Sequence, residues 1–437
     1  MFKTGFTGQS IVRQPDWSYP AAMYEVNVRQ FSAGGDFQGL TGELPRLKAM
    51  GIDVLWLMPV HPIGIVNRKG ALGSPYAIQD HFALDPALGN KKSFAELINR
   101  AHHLGMKVLL DWVANHTAPD HELAQHHPEL FMQKRDGSPS APLWTGWDDV
   151  VMLNYSKPQV AGYMIKAMNY WLEKFGVDGF RCDAAGFVPV SFWKEARRQL
   201  EKKREIYLLA EWEEPGFVRK VFNAGYGWSF YESLLYAVKH HDTGRLKEYF
   251  AHDRYAYPAG AHRLCFIDNH DKNCWEQPAG ERFGEALKMA LAFMIVAGDM
   301  PLIYNGLECG GGQHLPLFEK SPVDWNDKPL EGLITGLLNL KHRNRALWNG
   351  AAGGKPEPVP GRFPKEVIAL KREMAGHAVQ AVFNFSPDSV VIEPDEKVMS
   401  TSVWQPVRNI GSSDLSADGR LKELPGWGYI VQEAISR

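Results

Sequence analysis

The feature that most constrains this chain is a series of short apolar runs, most of which end at a polar or charged residue. Apolar runs of this length, separated by helical patterns, predict parallel strands that are buried on both faces. A series of such strands indicates an α/β fold of the (β/α)₈ (TIM) barrel type, whose C-terminal strand ends meet at one mouth. The runs span residues 23–28, 54–58, 107–111, 179–183, 206–211, 264–269 and 302–304.

Three of these runs lead to an acidic residue at the predicted mouth, namely Asp183, Glu211 and Asp271. The strand period of two puts Arg181 on the same face as Asp183, and a neighbouring cation favours the ionised form of a carboxyl group. For this stretch alone, a structural ion pair at a strand end explains the pattern equally well. Carboxylates that several strands bring to one barrel mouth indicate catalysis instead, so we expect the three acids to form one site.

Capping residues and turn signals predict the ends of the first helices. We expect a helix over 37–50 that Gly51 ends, because glycine adopts the left-handed conformation common after a helix. A second helix is expected over 93–104, with Ser93 as its N-cap and Glu96 completing a capping box.

The later elements are predicted in the same way. Ser156 is the expected N-cap of a helix whose first turn contains Pro158, a position where proline is tolerated. One continuous helix is expected over 281–297. The sixth strand has the weakest signal, and we assign it to residues 228–230.

The distance between the third and fourth predicted strands is too long for one crossover helix, which indicates an inserted subdomain at the barrel mouth. After a Gly- and Pro-rich linker the pattern changes to alternation, which predicts a C-terminal antiparallel β domain without helices. The predicted division is barrel 1–116, inserted subdomain 117–155, barrel 156–348 and C-terminal β-sandwich domain 349–437.

Composition narrows the classes of partner. The chain has 48 basic and 50 acidic residues and a net charge of −2, so nothing in its charge suggests nucleic acid or an anionic membrane as partner. No run of 18 apolar residues predicts a membrane span, and the four cysteines lack CxxC spacing, which favours free thiols. The N-terminus has no apolar signal region, which leaves a cytoplasmic protein or a secreted or periplasmic one with its signal removed. Oligomeric state is not indicated.

Four motifs now point to a family. Residues 111–116 (DWVANH), 179–183 (GFRCD), Glu211 after an apolar strand, and 266–271 (FIDNHD) resemble the four signature regions of the alpha-amylase family, glycoside hydrolase family 13. They occur in the family's order and on the corresponding strands. Weaker similarities lie at 51–59 and 300–308, so the resemblance covers about residues 20–345.

The resemblance implies retaining hydrolysis of α-glucosidic bonds with Asp183 as nucleophile, Glu211 as acid/base and Asp271 as third carboxylate. The chemistry agrees with this, because a retaining enzyme needs one ionised carboxylate and one protonated carboxyl. We expect Arg181 to keep Asp183 ionised. Glu211 has no neighbouring cation in sequence and follows apolar residues, so we expect its pKa to be raised.

The family also implies residues that bind the sugar. His116 and His270 are expected to hydrogen-bond sugar hydroxyls, and Tyr76 to stack beneath the ring at the cleaved bond. Asp111 is expected to orient Arg181 rather than to contact substrate. An α-glucan or malto-oligosaccharide is the implied partner, and the chemistry requires no cofactor.

The sequence departs from the family in two places. Many alpha-amylases have a Lys-His pair shortly after the nucleophile, where this chain has Ala-Ala-Gly-Phe over residues 184–187. Asn115 matches the family's calcium ligand, but Met152 stands where an aspartate commonly binds the same ion. A thioether is a poor ligand for a hard cation, so we expect calcium to be weakly held or absent.

The leading hypothesis is an endo-acting alpha-amylase, because a short insert and a long loop over 61–75 predict an open cleft. An α-glucosidase, a cyclomaltodextrinase- or neopullulanase-like hydrolase, or an α-glucan transglycosylase would use the same chemistry. A non-catalytic sugar-binding barrel is a hypothesis of a different class, and the intact set of acids argues against it. A metal-dependent barrel hydrolase is a third, which sensitivity to chelators would reveal.

Overall fold

The computed structural model describes residues 12–143, 145–258, 260–394, 405–411 and 423–435. The N-terminal residues, for which the sequence predicts no signal region, lie outside this range. Within it, no helix is long and apolar enough to cross a bilayer. All four cysteines carry free thiols.

Eight parallel strands close into a barrel, and each strand pairs with its neighbours in chain order. This confirms the predicted (β/α)₈ architecture. The strands consist almost entirely of buried residues, as expected for a sheet that helices cover outside and side chains fill inside. They are β1 (Met23–Val26), β2 (Val54–Leu57), β3 (Lys107–Val113), β4 (Gly179–Asp183), β5 (Tyr207–Ala210), β6 (Ala224–Tyr226), β7 (His262–Cys265) and β8 (Met300–Tyr304).

The register of the central strands determines which side chains meet at the mouth. Arg181 on β4 lies opposite Asp111 on β3, and Cys182 lies opposite Ala210 on β5. The residues that follow this last pair are Asp183 and Glu211, so the two predicted catalytic acids leave adjacent strands at the same level.

The sixth strand was assigned to the wrong residues. It is Ala224–Tyr226, and the expected strand at 228–230 is the start of the helix Trp228–His240. That helix buries Phe230, Leu234 and Val238, which are spaced by one helical turn. The true strand has three residues, one of them glycine, and is too short to give a periodic signal.

Two helix N-caps also differ from the predictions. Asn90 caps the helix Lys91–His103, because its side-chain oxygen accepts from the Ser93 amide at 3.1 Å and the Ser93 hydroxyl accepts from the Asn90 amide at 3.0 Å. Ser93 therefore takes the third position of the capping box, the position expected for Glu96. The helix Pro158–Phe175 has Lys157 rather than Ser156 at its N-cap.

Other helices follow the sequence more closely. Gly51, with φ of 103°, ends the helix Phe37–Met50 as expected. The single helix expected over 281–297 is two, Ala279–Phe283 and Leu287–Ala297, separated by a 3₁₀ turn. The remaining α-helices are Val28–Phe31, Glu122–His126, Val190–Leu200, Pro215–Lys220, Gly244–Ala256 and Glu331–Arg343.

Between β3 and Pro158 lies a small irregular segment that contains the helix Glu122–His126. Its two short strands, His116–Thr117 and Val151–Met152, pair antiparallel. The division of the chain into domains at the numbers given above stays a prediction.

The C-terminal residues form an antiparallel sheet of five strands, as expected, and their described part contains no α-helix. Arg372 joins this sheet to the barrel. Its buried guanidinium donates to the backbone carbonyls of Val296 and Gly298 at 3.0 and 2.7 Å. In spatial order the strands are Glu357–Pro358, Val367–Met374, His377–Asn384, Tyr429–Ile435 and Gln405–Gly411.

Candidate active site

A cavity of about 410 Å³ opens at the C-terminal mouth of the barrel. The loops after β2, β3, β7 and β8 form its walls, and strand ends β4 and β5 form its base. Six of the residues predicted from sequence line it, namely Tyr76, His116, Asp183, Glu211, His270 and Asp271.

Arg181 lies at the centre of the site and is completely buried. Its Nη1 atom is 2.9 Å from Asp111 Oδ1 and 3.0 Å from Asp183 Oδ1, which agrees with the expected orienting role of Asp111. Its Nη2 atom lies 2.7 Å from Glu211 Oε1. Glu211 has no neighbouring cation in sequence, but the fold supplies one, and its pKa is raised as expected despite that cation. One guanidinium pairs with three carboxylates, since adjacent parallel strands put their ends around the same point.

The pKa values of both catalytic candidates are raised. Burial raises the pKa of Asp183 well above its ordinary value, the charge of Glu211 raises it further, and Arg181 opposes both effects. Burial likewise raises the pKa of Glu211, against the effect of Arg181. Arg181 favours the ionised form of Asp183 as expected, but burial and the charge of Glu211 outweigh it, so the pKa of Asp183 is raised. Two buried carboxyl groups beside one shared cation retain one proton to a higher pH than an isolated carboxyl would.

The Glu211 carboxylate is held in place from the neighbouring strand end. The backbone N–H of Ala184 donates to Glu211 Oε2 at 2.6 Å. Ala184 has φ of 43° and ψ of 41°, a left-handed conformation that is uncommon for a residue with a side chain. Such strain at the residue after Asp183 indicates that the position of this N–H is functionally constrained.

His270 is fixed by a residue that the sequence analysis missed. Glu25 on β1 is completely buried, and its Oε1 lies 2.5 Å from His270 Nδ1. Burial lowers the pKa of His270, but the carboxylates of Asp271 and Glu25 raise it to about 9. His270 is thus protonated at neutral pH. Its Nε2 atom lies 2.8 Å from the hydroxyl of Tyr76, whose ring stacks on the imidazole.

Asp271 is the most accessible of the three acids, with 42% of its side chain exposed. The indole N–H of Trp275 donates to its Oδ1 atom at 3.2 Å. Asp271 therefore presents a carboxylate that a ligand in the cavity can reach.

Two buried aromatic residues support Arg181 from below. Its guanidinium carbon lies 4.8 Å from the ring centre of Trp56, whose indole N–H donates to Asp111 at 3.1 Å. The guanidinium Nε donates to the Tyr226 hydroxyl at 3.2 Å. The sequence analysis missed both side chains because an aromatic residue in an apolar strand has the appearance of ordinary core.

His116 reaches the cavity from the segment after β3. Burial lowers its pKa to about 4, so this imidazole is neutral and can accept or donate one hydrogen bond. Its ring lies 5.5 Å from that of Trp147, another lining residue that the sequence analysis did not identify.

The surroundings of Asn115 do not fit calcium. Its side-chain amide lies 3.2 Å from His116 Nδ1, and Met152 pairs with His116 across the short strands. The part of the chain that the structure describes contains no group of three or more His, Cys, Asp or Glu residues arranged to hold a metal ion. A nitrogen and a thioether are poor ligands for a cation that requires six to eight oxygens.

The loop over 61–75 forms one wall of the cavity and contacts a different loop on each side. Lys69 contacts the insert through Asp149 at 3.2 Å and the Gly146 carbonyl at 3.1 Å. On the other side, the Leu72 amide donates to the Phe318 carbonyl at 2.9 Å. The loop therefore connects the insert with the segment that follows β8.

Comparison with known proteins identifies relatives of this chain. The family model described as "Alpha amylase, catalytic domain" matches residues 14–136 and 143–328. Alpha-amylase MalA of Haloarcula japonica is 27% identical over 398 residues, which is 86% of this chain and 57% of that protein. A cyclomaltodextrinase from Bacillus sp. is 28% identical over 346 residues, which is 72% of this chain and 60% of that protein. The chain thus spans less than two thirds of the length of these relatives.

The fold has close relatives among solved structures. The crystal structure of an alpha-amylase from Lactobacillus plantarum superposes with a TM-score of 0.82 at 29% sequence identity. The match covers 96% of this chain and 100% of that one.

Proposed function

The chain belongs to the alpha-amylase family of glycoside hydrolases, and we propose that it hydrolyses α-1,4-glucosidic bonds in starch or maltodextrins with retention of anomeric configuration. The observation that carries this proposal is the pair Asp183 and Glu211, bridged by the two ends of one guanidinium. Such a bridge supports the spacing of roughly 5 Å that a retaining mechanism requires, rather than the wider gap that leaves room for a water molecule in inverting enzymes.

In the first step, Asp183 attacks the anomeric carbon while Glu211 donates its proton to the oxygen of the leaving sugar. The raised pKa of the pair supports this step, because one proton must be present on the pair at the pH of the reaction. The ion pair with Arg181 favours the charged form of Asp183. In the second step, Glu211 takes a proton from water, which displaces Asp183 from the sugar.

The surrounding residues are proposed to bind and distort the sugar. Asp271, as the accessible carboxylate, binds sugar hydroxyls. The protonated His270 donates a hydrogen bond to a hydroxyl group, and the neutral His116 contacts the sugar from the opposite wall. For the bond from His270, the sugar hydroxyl takes the place of the Tyr76 hydroxyl at Nε2. Tyr76 supports the ring from beneath while its hydroxyl stays bonded to Asp111.

We propose endo action on internal chain segments as the leading reaction pattern. Endo cleavage of starch would make the iodine colour collapse early, while reducing ends are still few. Release of glucose alone, with colour falling only in proportion, would reject it.

One observation favours a second candidate, an enzyme that releases short products or opens cyclodextrins. The loop over 61–75 contacts both the insert and the segment after β8, and so bounds the cavity on that side. One of the relatives is named a cyclomaltodextrinase. A time course of products on soluble starch, maltotriose, cyclodextrin and pullulan separates the two candidates. Faster turnover of cyclodextrin than of starch would favour the second.

A further inference from the structure

The segment over residues 313–321, here called the wall segment, follows β8 and forms one side of the cavity. Its residues Leu317 and Phe318 line the cavity. The structure describes the whole segment and places no helix or strand in it. Buried backbone N–H and C=O groups need hydrogen-bond partners, which an irregular segment does not supply to itself as a helix does. The wall segment must therefore be held by groups from elsewhere in the fold.

The side chain of Asn273 supplies such partners from the loop after β7. Asn273 is 2% exposed, and its Nδ2 atom donates to the Gln313 carbonyl at 3.1 Å. Its Oδ1 atom accepts from the Leu315 amide at 2.7 Å. The side-chain amide thus pairs with a carbonyl and with the N–H two residues later, as the backbone of a neighbouring parallel strand does.

Asp268 fixes the orientation of the Asn273 amide. Its Oδ2 atom accepts from Asn273 Nδ2 at 3.2 Å, and because a carboxylate can only accept, the NH₂ end of the amide must face it. Burial raises the pKa of Asp268 to about 7, although the ion pair with Arg282 favours the charged form. The other groups that affect its pKa are Asn273, the Ala279 backbone and Glu25. The orientation of the amide is therefore best defined above that pH.

Gln30 holds the other half of the wall segment from the side of β1. It is completely buried in the helix Val28–Phe31. Its Nε2 atom donates to the carbonyls of Pro316 and Glu319 at 2.8 and 2.7 Å, and its Oε1 atom accepts from the Ser321 amide at 2.6 Å. Both N–H groups and the oxygen of this side-chain amide are thus bonded to the wall segment.

We propose that Asn273 and Gln30 are positioning residues for the reaction, which hold the wall segment against the cavity and so determine how well long α-glucan chains bind. This inference rests on the proposed function. Neither side chain is among the described residues that line the cavity, so each acts through Leu317 and Phe318. The catalytic pair is held separately by Arg181. The two amides should therefore affect the binding of long substrates more than the chemical step.

The test compares maltoheptaose, which extends along the cleft, with α-glucosyl fluoride, whose single ring needs only the centre of the site. Assays at about pH 8 keep most of the Asp268 carboxyl groups ionised, since this lies above the pKa of about 7. In Asn273→Ala and in Gln30→Ala we expect KM for maltoheptaose to rise about 5–20-fold, the range that the loss of one or two hydrogen bonds implies. The kcat/KM for the fluoride should change by less than about threefold, because the groups around Asp183 stay in place.

Hydrogen exchange supplies a readout that does not depend on activity. The amides of Leu315 and Ser321 donate to Asn273 and Gln30 respectively, so each should exchange faster when its acceptor is removed. We expect faster exchange of Leu315 in Asn273→Ala and of Ser321 in Gln30→Ala.

Asn384→Ala is the matched control. Asn384 is also completely buried, and its side-chain amide donates to the carbonyls of Asp388 and Pro425, both at 2.8 Å, but it lies among the C-terminal strands. This variant should leave KM for maltoheptaose unchanged even where it lowers the melting temperature.

Four results would overturn the inference: an unchanged KM for maltoheptaose in either variant, an equal loss of activity on both substrates, an equal rise of KM in the control, or failure of both variants to fold. If the wild-type protein acted on neither substrate, the proposed function would be rejected instead. Hydrogen exchange would then still decide whether the two amides hold the wall segment.

Discussion

Arg181 is central to the charge balance of the site, because it pairs with Asp111, Asp183 and Glu211. Its contact with Asp183 could be predicted from sequence, because residues two apart on a strand lie on the same face. Its pairing with Glu211 could not, because that contact depends on how β4 and β5 align in the barrel. Removing this guanidinium would leave three buried carboxylates without this cationic partner, and a single broken buried pair costs about 3–5 kcal/mol.

Glu25 is expected to control the protonation of His270. In Glu25→Gln the carboxylate charge is lost while an amide can still bond to Nδ1, so the protonated imidazole loses an electrostatic partner. The pKa of His270 should fall from about 9 by about one unit or more. NMR titration of the histidine side chains measures this directly.

The remaining charged groups around His270 stay in place in that variant. They are Asp271, Arg181 and Asp111, with the hydroxyl of Tyr76 also in contact. Glu213→Gln is the matched control, because Glu213 accepts from the Ser229 amide and is not among the charged groups around His270. An unshifted His270 in Glu25→Gln, or an equal shift in the control, would contradict this role.

At the scale of elements, the N-cap of the helix Lys91–His103 was predicted about one helical turn beyond its true position in the chain. Asn90 and Ser93 exchange reciprocal hydrogen bonds, and both are good capping residues. Sequence alone could not decide between them, because Ser93 followed three residues later by Glu96 has the pattern of a capping box too.

Asn90→Ala should therefore destabilise the start of this helix by about 1 kcal/mol, since two amides lose their side-chain acceptor. Native-state hydrogen exchange of the Lys92 and Ser93 amides measures the local opening free energy. Lys92→Ala is the control, because this exposed side chain caps nothing. Unchanged exchange rates of these amides in Asn90→Ala would show that Asn90 is not the N-cap.

The strands that could be predicted most directly are those with a continuous apolar run, such as β2 and β5. β6 escaped prediction because Ala224–Tyr226 has only three residues, and its position is determined by pairing with β5 and β7 rather than by its own sequence. The aromatic residues at 228 and 230, taken alone, have the alternating pattern of a strand. The residues that follow have helical spacing, which identifies the segment as a helix.

At the scale of the whole molecule, the fold and the cluster of acids followed from one repeated pattern and four motifs. Trp147 and Lys69 could not be identified, because they enter the cavity from loops whose course depends on contacts with other loops. Phe187 was visible in the sequence as part of a departure from the family. Its contact with Trp212, whose ring centre lies 5.7 Å away, could not be predicted because it depends on the fold.

Calcium should contribute little to the stability of the whole chain, since the atoms around Asn115 are not those of a hard-cation site. The melting temperature with excess chelator should lie within about 2 °C of that with added calcium. A drop of more than roughly 10 °C would correspond to several kcal/mol of linked binding, and would show that other oxygen ligands replace the missing aspartate.

The central claim is that Asp183 forms a covalent bond to the sugar, whereas Glu211 first donates a proton and then accepts one. Mass spectrometry of Glu211→Gln after incubation with α-glucosyl fluoride tests this most directly, because fluoride leaves without protonation and the intermediate then lacks its base. We predict an added glucosyl mass that fragmentation assigns to the peptide containing Asp183, and no such mass in Asp183→Ala. A label on another residue, or no label together with a β-configured first product from the wild-type protein, would contradict the account.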